Sequence, residues 1–275
     1  MSALRSLLVH VDASPRSRAR LLAARDLADQ HGACITALLS DTPGEVDTPY
    51  SYTAGAADAQ ALQDMALQRR ASARSLFEAV FTDRTRACWA ELPPASDAPA
   101  FARYACSTDL LVLGQDAADP GAGLQRDFAP AVMAACGRPA LVWPREGRYA
   151  LPAETAVVAW NATAGSARAL AAALPLLRQA RHVHVVNWGE ATVPRLDGCM
   201  DIESHLALHG ITAQVHRYGK APGDIGGALL QWSKEVRAGL LVMGCYGHSP
   251  ARERLLGGAT RAILERMTLP VLMAH

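Results

Sequence analysis

The chain has little of what several common functions require. Its six cysteines, Cys34, Cys88, Cys106, Cys136, Cys199 and Cys245, form no CxxC pair and no Cys/His spacing that resembles a zinc site. Scattered thiols of this kind read as reduced, mostly buried residues of a cytoplasmic protein. Aromatic residues make up only 5 % of the chain, so stacking platforms for bases are scarce. The formal net charge is +1 and no basic block occurs, which argues against a nucleic-acid or anionic-membrane partner. No apolar run approaches the roughly 20 residues of a membrane span. The run in "MSALRSLLVHVDASP" meets His10 and Asp12 and is too short and polar for a secretory signal, so the expected location is the cytoplasm. There is no GxxxxGK[ST]. "GAGLQR" (121–126) begins like GxGxxG but carries Arg126 at the last glycine and does not open directly after a strand. No serine lies in GxSxG, and Ser14 and Ser166 fall in helix-start turns, as caps would.

What is present is a repeat. "DLLVLGQDA" (109–117) aligns without gaps on "GLLVMGCYG" (239–247), an offset of 130 from Gly114 to Gly244. "GRPALVWP" (137–144) matches "TLPVLMAH" (268–275), and "SLLVHVDASPRSRARLL" (6–22) resembles "TAVVAWNATAGSARALA" (155–171). Two copies of one domain follow, 1–146 and 152–275, joined near "PREGRYALPAE" (144–154), which has the Pro, Gly and charge of a linker. With hydrophobic residues at 50 %, both copies have the material for a core.

Each copy alternates apolar strand and amphipathic helix, which predicts a parallel sheet with helices on both faces. The near-continuous apolar strands "SLLVHV" and "LLVLG" fit burial on both sides. The first copy has a longer second helix, about 56–82, with Leu62, Met65, Ala66, Leu76, Phe77 and Val80 at spacings suited to one buried face. Each copy closes with an apolar strand after Pro139 or Pro270. Exposed apolar edges are a hazard, so these strands are expected to pair across a pseudo-twofold axis. The alternative is that each is an edge of its own sheet.

"GCYGHSPARERLLGGAT" (244–260) places four glycines between a buried strand and a helix. Ligands of open parallel sheets sit beyond the carboxyl ends of the strands, and helix N-termini present unpaired N–H groups that favour phosphate. Gly257 and Gly258 remove Cβ atoms where an anion would approach. Ala259 follows, Thr260 adds a hydroxyl in the first turn, and Arg252 and Arg254 lie within reach. Glycines at such a junction can also serve only as a turn.

The spacing Gly244-x2-Gly247-x9-Gly257 resembles the nucleotide-binding signature of the universal stress proteins. The resemblance covers essentially the whole chain and implies an α/β fold: two tandem Rossmann-like domains, each with a five-stranded parallel sheet of the adenine-nucleotide alpha-hydrolase type, forming an intrachain pseudo-dimer. It implies an adenine nucleotide (ATP, ADP or AMP), with or without magnesium, as the ligand. By that resemblance Gly244, Gly247, Gly257, Gly258 and Thr260 hold the phosphates, Asn161 takes the position after the first strand, and Val185 neighbours the adenine. Met243 and His248 flank the loop. Two departures stand out. Gly258 replaces the Ser or Thr that often follows the last glycine, and Asn161 replaces the usual Asp, an amide without charge.

The first copy keeps Asp12 but degrades the loop. Gly114 survives, Ala117 replaces the second glycine, and Asp127 stands where the second copy has Gly257. A carboxylate about 4 Å from a phosphate charge costs about 4 kcal/mol at an effective dielectric of about 20, so this copy is expected to bind no nucleotide in this mode, with Asp12 a turn or cap residue.

Other residues carry less. His205 and His209 stand at i, i+4, but no HExxH and no third ligand accompany them, so no metal site is assigned; His182, His184 and His216 read as solvated or locally bonded. Cys245 reads as a small packing residue, with redox sensing as the alternative. Trp160 and Trp188 sit at strand ends, as core or as an adenine wall. The only acid between Gly244 and Thr260 is Glu253, so catalysis is expected to be absent or limited to slow ATP hydrolysis. The reading is a cytoplasmic tandem universal stress protein that binds one adenine nucleotide in its second copy. It would act as a stress-response sensor or regulator toward an unidentified protein partner, with a homodimer as a further state. The alternative is a scaffold or small-molecule sensor of the same fold that binds no nucleotide.

Overall fold

The computed structural model describes residues 4–40, 56–82, 85–94, 96–115, 127–188, 200–245 and 258–275. The chain divides into two compact units, Arg5–Cys136 and Gly137–His275. In the first, β1 (Ser6–Val11), α1 (Ser17–His31), β2 (Cys34–Leu39), α2 (Ala56–Val80), β3 (Ala87–Glu91), α3 (Ala98–Ala105), β4 (Leu110–Gly114) and α4 (Phe128–Cys136) follow in order. Its strands lie β3-β2-β1-β4, all parallel. β1 and β4 are buried almost end to end because helices cover both faces.

The second unit holds β5 (Ala140–Trp143), β6 (Thr155–Ala159), α5 (Ala164–Leu177), β7 (His182–Trp188), α6 (Ile202–Leu208), β8 (Ala213–Tyr218), α7 (Ile225–Glu235), β9 (Leu240–Gly244), α8 (Ala259–Arg266) and β10 (Val271–Ala274). Its strand order is β5-β10-β9-β6-β7-β8. From β10 to β8 the five strands are parallel, and β5 runs antiparallel to β10 with Leu141 opposite Leu272. The closing strands of the two sequence copies thus pair with one another, and both are fully buried.

Two sequence expectations are corrected. Met65 is 49 % exposed and does not share the buried face of α2, which among the described side chains is Ala73, Phe77 and Val80 with Ala66 and Leu76 half-buried; the Leu62 side chain lies outside the described residues. The cause is length. A helix of 25 residues spans about 37 Å, whereas a strand of five or six residues spans about 17–20 Å, so only the last turns of α2 have sheet beneath them. The cysteines are also not mostly buried. Cys34, Cys88 and Cys106 are exposed, Cys136 is half-buried, and among the described cysteines only Cys245 is buried.

Candidate functional site

In each unit the strand order reverses between the first strand and its neighbour on the far side, β1 and β4 in one unit and β6 and β9 in the other. That is where a crevice opens at the carboxyl ends of a doubly wound sheet. In the second unit, Asn161 follows β6, Met243 and Gly244 end β9, and Gly258, Ala259 and Thr260 begin α8. Gly247, His248, Arg252, Arg254 and Gly257 lie outside the described residues.

The helix starts differ in how they are closed. Thr163 caps α5 in a reciprocal capping box with Ser166, Asp201 caps α6, and Asp224 caps α7. α8 has Gly258 as its N-cap and no side-chain cap. The first N–H groups of a helix have no partner within it, and at this start the N-cap residue has no side chain to meet them. Thr260 is buried in the first turn.

Gly244 has a reason of its own. A Cβ there would lie 2.5 Å from the Ser166 amide nitrogen and 2.6 Å from the Gly165 carbonyl carbon, so the first turn of α5 already fills that space. Asn161 is exposed, and its Oδ1 accepts from the Thr163 hydroxyl at 2.7 Å, leaving its NH2 as the outward group. Val185 is fully buried in mid-strand, in register with Val158 and Val215 on either side. At the open end of β7, Asn187 and Trp188 are half-buried, as is Trp160 after β6. Cys245 is buried against the end of β10, its N–H donating to the Ala274 carbonyl.

The first unit fills the corresponding crevice with its own side chains. Asp12 does serve as a turn residue, its Oδ1 accepting from the Ser14 N–H at 2.8 Å. It also forms a buried ion pair that sequence reading missed: Arg20 Nη2 lies 2.7 Å from Asp12 Oδ2 and 2.7 Å from Ser17 Oγ, and Arg20 Nε donates to the His10 carbonyl at 3.0 Å. The guanidinium lies over Gly114, where any Cβ would run into it. His10 donates from Nε2 to the Ser40 carbonyl at 3.3 Å, and its ring packs on Phe128 at 4.5 Å and Phe101 at 5.4 Å. At the 130-residue offset Phe128 stands in place of Gly258, and Pro130, which has no N–H, in place of Thr260. Asp127 itself is exposed and adopts a left-handed backbone, φ 65°. Burial holds the His10 imidazole down at about 4. Burial pushes the Asp12 carboxyl up, but Arg20, with His10, Ser14 and Ser17, outweighs it and holds the group well below the usual carboxylate range.

Two signals in the sequence pointed to this filling. One is a charge, Arg20, on the apolar stripe of α1 that carries Leu21, Ala24, Leu27 and Ala28. The other is the bulky Phe128 aligned on a glycine.

Among the described residues no cluster of three or more His, Cys, Asp or Glu is placed to hold a metal ion, and no helix is long and apolar enough to cross a membrane. No protein-family model matches the sequence, and no curated protein matches it. The structure is similar to that of a universal stress protein from Archaeoglobus fulgidus DSM 4304, with 16% sequence identity and a TM-score of 0.72 over 97% of this chain and 94% of that one. A functionally unknown protein from Pseudomonas aeruginosa PAO1 is also similar, with 16% identity and a TM-score of 0.57 over 98% and 92% of the two chains. The chain therefore has the fold seen in universal stress proteins along nearly all of its length, as two tandem Rossmann-like repeats.

Proposed function

We propose that the second copy binds one adenine nucleotide, with its phosphates at the start of α8, and that the chain acts as a cytoplasmic stress-response sensor or regulator read by a protein partner. The observation that carries this reading is the start of α8. It follows the glycine signature, lies at the sheet's topological reversal, and has no side-chain cap, whereas the unit's other helices do. Gly257, Gly258, Ala259 and Thr260 would meet phosphate, with Gly247, His248 and Arg252 in the preceding loop. Asn161 would donate its NH2 to an acceptor on the ribose or base. Met243 and Gly244 would form the strand side of the site, with Val185 buried beneath it. The reading gives the protein no catalytic residues. Glu253 is the only acid between Gly244 and Thr260 in the sequence, so ATP would turn over slowly or not at all.

The test is a thermal-shift titration with ATP, ADP and AMP. A ligand at about 100 times its dissociation constant stabilises the folded chain by about 2.7 kcal/mol. The expected result is a saturable shift with at least one nucleotide, lost in Gly257→Asp. No shift with any of the three rejects the reading.

A second reading, a sensor of the same fold for another small molecule, is favoured by Gly244, whose space α5 fills, and by the uncharged Asn161. Native mass spectrometry of the freshly purified protein separates the two through the mass of whatever is retained.

A further inference from the structure

The outer strands of the second unit carry a polar cluster that neither reading uses. β7 and β8 pair in parallel with His184 opposite Gln214 and Val186 opposite His216. Alternation along the strands puts His184, Val186 and Trp188 on one face with Gln214, His216 and Tyr218. There His184 Nδ1 and His216 Nε2 lie 3.1 Å apart, both rings half-buried. Trp232 of α7 lies edge-on to both, 5.3 Å from His184 and 4.9 Å from His216. Its indole N–H donates to the Tyr218 hydroxyl at 3.0 Å, and Tyr218 stacks on Trp188 at 5.8 Å. One chain of rings thus ties β8, the last strand of the order, to helix α7.

A hydrogen bond between two imidazole nitrogens needs one N–H and one lone pair. The pair meets that need when both rings are neutral or when one is charged. When both are charged, every ring nitrogen is a donor, the bond is lost, and two cations face each other. Among the described residues, no carboxylate acts on His184 to offset that repulsion. Burial holds the His184 imidazole below its ordinary value, and the other groups that act on it are His216 and His182, with no carboxylate among them. On α7, Lys234 and Glu235 are exposed, and Glu235 accepts from Gln231. Arg217, next to His216 but on the opposite face of β8, approaches Glu203 of α6 at 4.0 Å. Arg266 of α8 pairs with Asp224 at 2.8 Å.

We propose that the His184–His216 pair is an acid-released latch: it holds β7 and β8 together as the seat of Trp232 of α7 while it carries at most one proton, and opens on taking the second. What it releases is the helix against which α8 rests. A Cβ at Gly226 of α7 would lie 2.7 Å from the Ala262 Cβ and 3.0 Å from the Ala259 carbonyl oxygen, so the two helices are in backbone contact at the start of α8. The latch stands on its own geometry and does not depend on the nucleotide reading. Any effect on a ligand at α8 does.

The test follows the indole N–H resonances of the five tryptophans in two-dimensional nitrogen–proton spectra of the full chain, with Trp232→Phe to assign the relevant one. The titration runs from about pH 8 to about pH 5, across the range in which imidazoles charge. The expected result is that the Trp232 resonance moves with a midpoint below about 6.5, while Trp89 and Trp143 stay in place. In His184→Gln and in His216→Gln the Trp232 resonance stops titrating. A stationary Trp232 resonance, an equal titration in both variants, or all five resonances moving together as in general unfolding overturns the latch. Should a variant not fold, the imidazole nitrogen shifts of the unmodified protein decide. Two fully charged rings at low pH with no change at Trp232 reject the proposal, and loss of the shared N–H together with movement of Trp232 supports it.

Discussion

Arg20 is 1% exposed and holds three groups at once, the Asp12 carboxylate, the Ser17 hydroxyl and the His10 carbonyl. A buried pair of this kind is costly to break from one side, because the remaining charge stays buried without its partner. Arg20→Leu is expected to destabilise the first unit by about 3–5 kcal/mol, measured by urea unfolding near neutral pH. Asp12→Asn combined with Arg20→Leu removes the stranded charge and should recover most of the loss. A double variant as unstable as the single one would show that shape, not charge, sets the cost. His10 adds a pH dependence. Its folded-state pKa of about 4 lies below the ordinary 6.5, so the unfolded chain takes the proton first. The stability it supports is complete above about pH 6.5 and is lost as the pH falls toward 4, a loss on the order of 3 kcal/mol. Asp12, held below the usual range, extends the loss to lower pH by the same sign. His10→Phe should flatten stability between about pH 6.5 and 4, and an unchanged slope would assign the dependence to other groups.

At the scale of elements, the two glycines that end β4 and β9 show how one repeated position can be filled in two ways. Over Gly114 lies a guanidinium. Against Gly244 lies the backbone of the first turn of α5. Backbone has no rotamer with which to move aside, so Gly244→Ala is expected to lower stability by about 1–3 kcal/mol, as overpacking does, with no ligand present. Ligand-free melting measures this directly, and a variant as stable as the parent would mean that α5 shifts freely. The elements themselves were legible in the sequence, because apolar runs of five or six residues bounded by turns read as strands and the repeat checked each one against its copy. What was not legible depended on neighbours. Met65 keeps a helical spacing with Phe77 and Val80, but no sheet lies beneath it. His184 and His216, 32 residues apart, meet only because β7 and β8 pair in one register. In the candidate site, Asn161, Gly244 and Gly258 could be placed by motif, whereas the α5 turn that fills the Gly244 space left no motif to read.

At the scale of the whole molecule, duplication has left two copies of one crevice with opposite contents. The first holds Arg20, Asp12, His10 and Phe128, and its last helix begins with Phe128 and Pro130. The second has Ala169, Asn161, Ala159 and Gly258 at the corresponding positions, and its last helix begins with Ala259 and Thr260. Ala117 and Asp127, which replace two glycines of the loop, gave the sequence its reasons to expect one ligand per chain. The structure supplies a stronger steric argument, since a base or phosphate in the first crevice would have to displace a buried ion pair and the His10 and Phe128 rings packed on one another. Under the nucleotide reading, calorimetric titration should therefore give one nucleotide bound per chain. Gly257→Asp should remove it, and Asp12→Asn should leave the count at one, because Arg20 and Phe128 still occupy the first crevice. A count of two in the unmodified protein would mean that the first unit opens to admit a ligand, and that the packing around Arg20 is one of two states rather than a permanent plug.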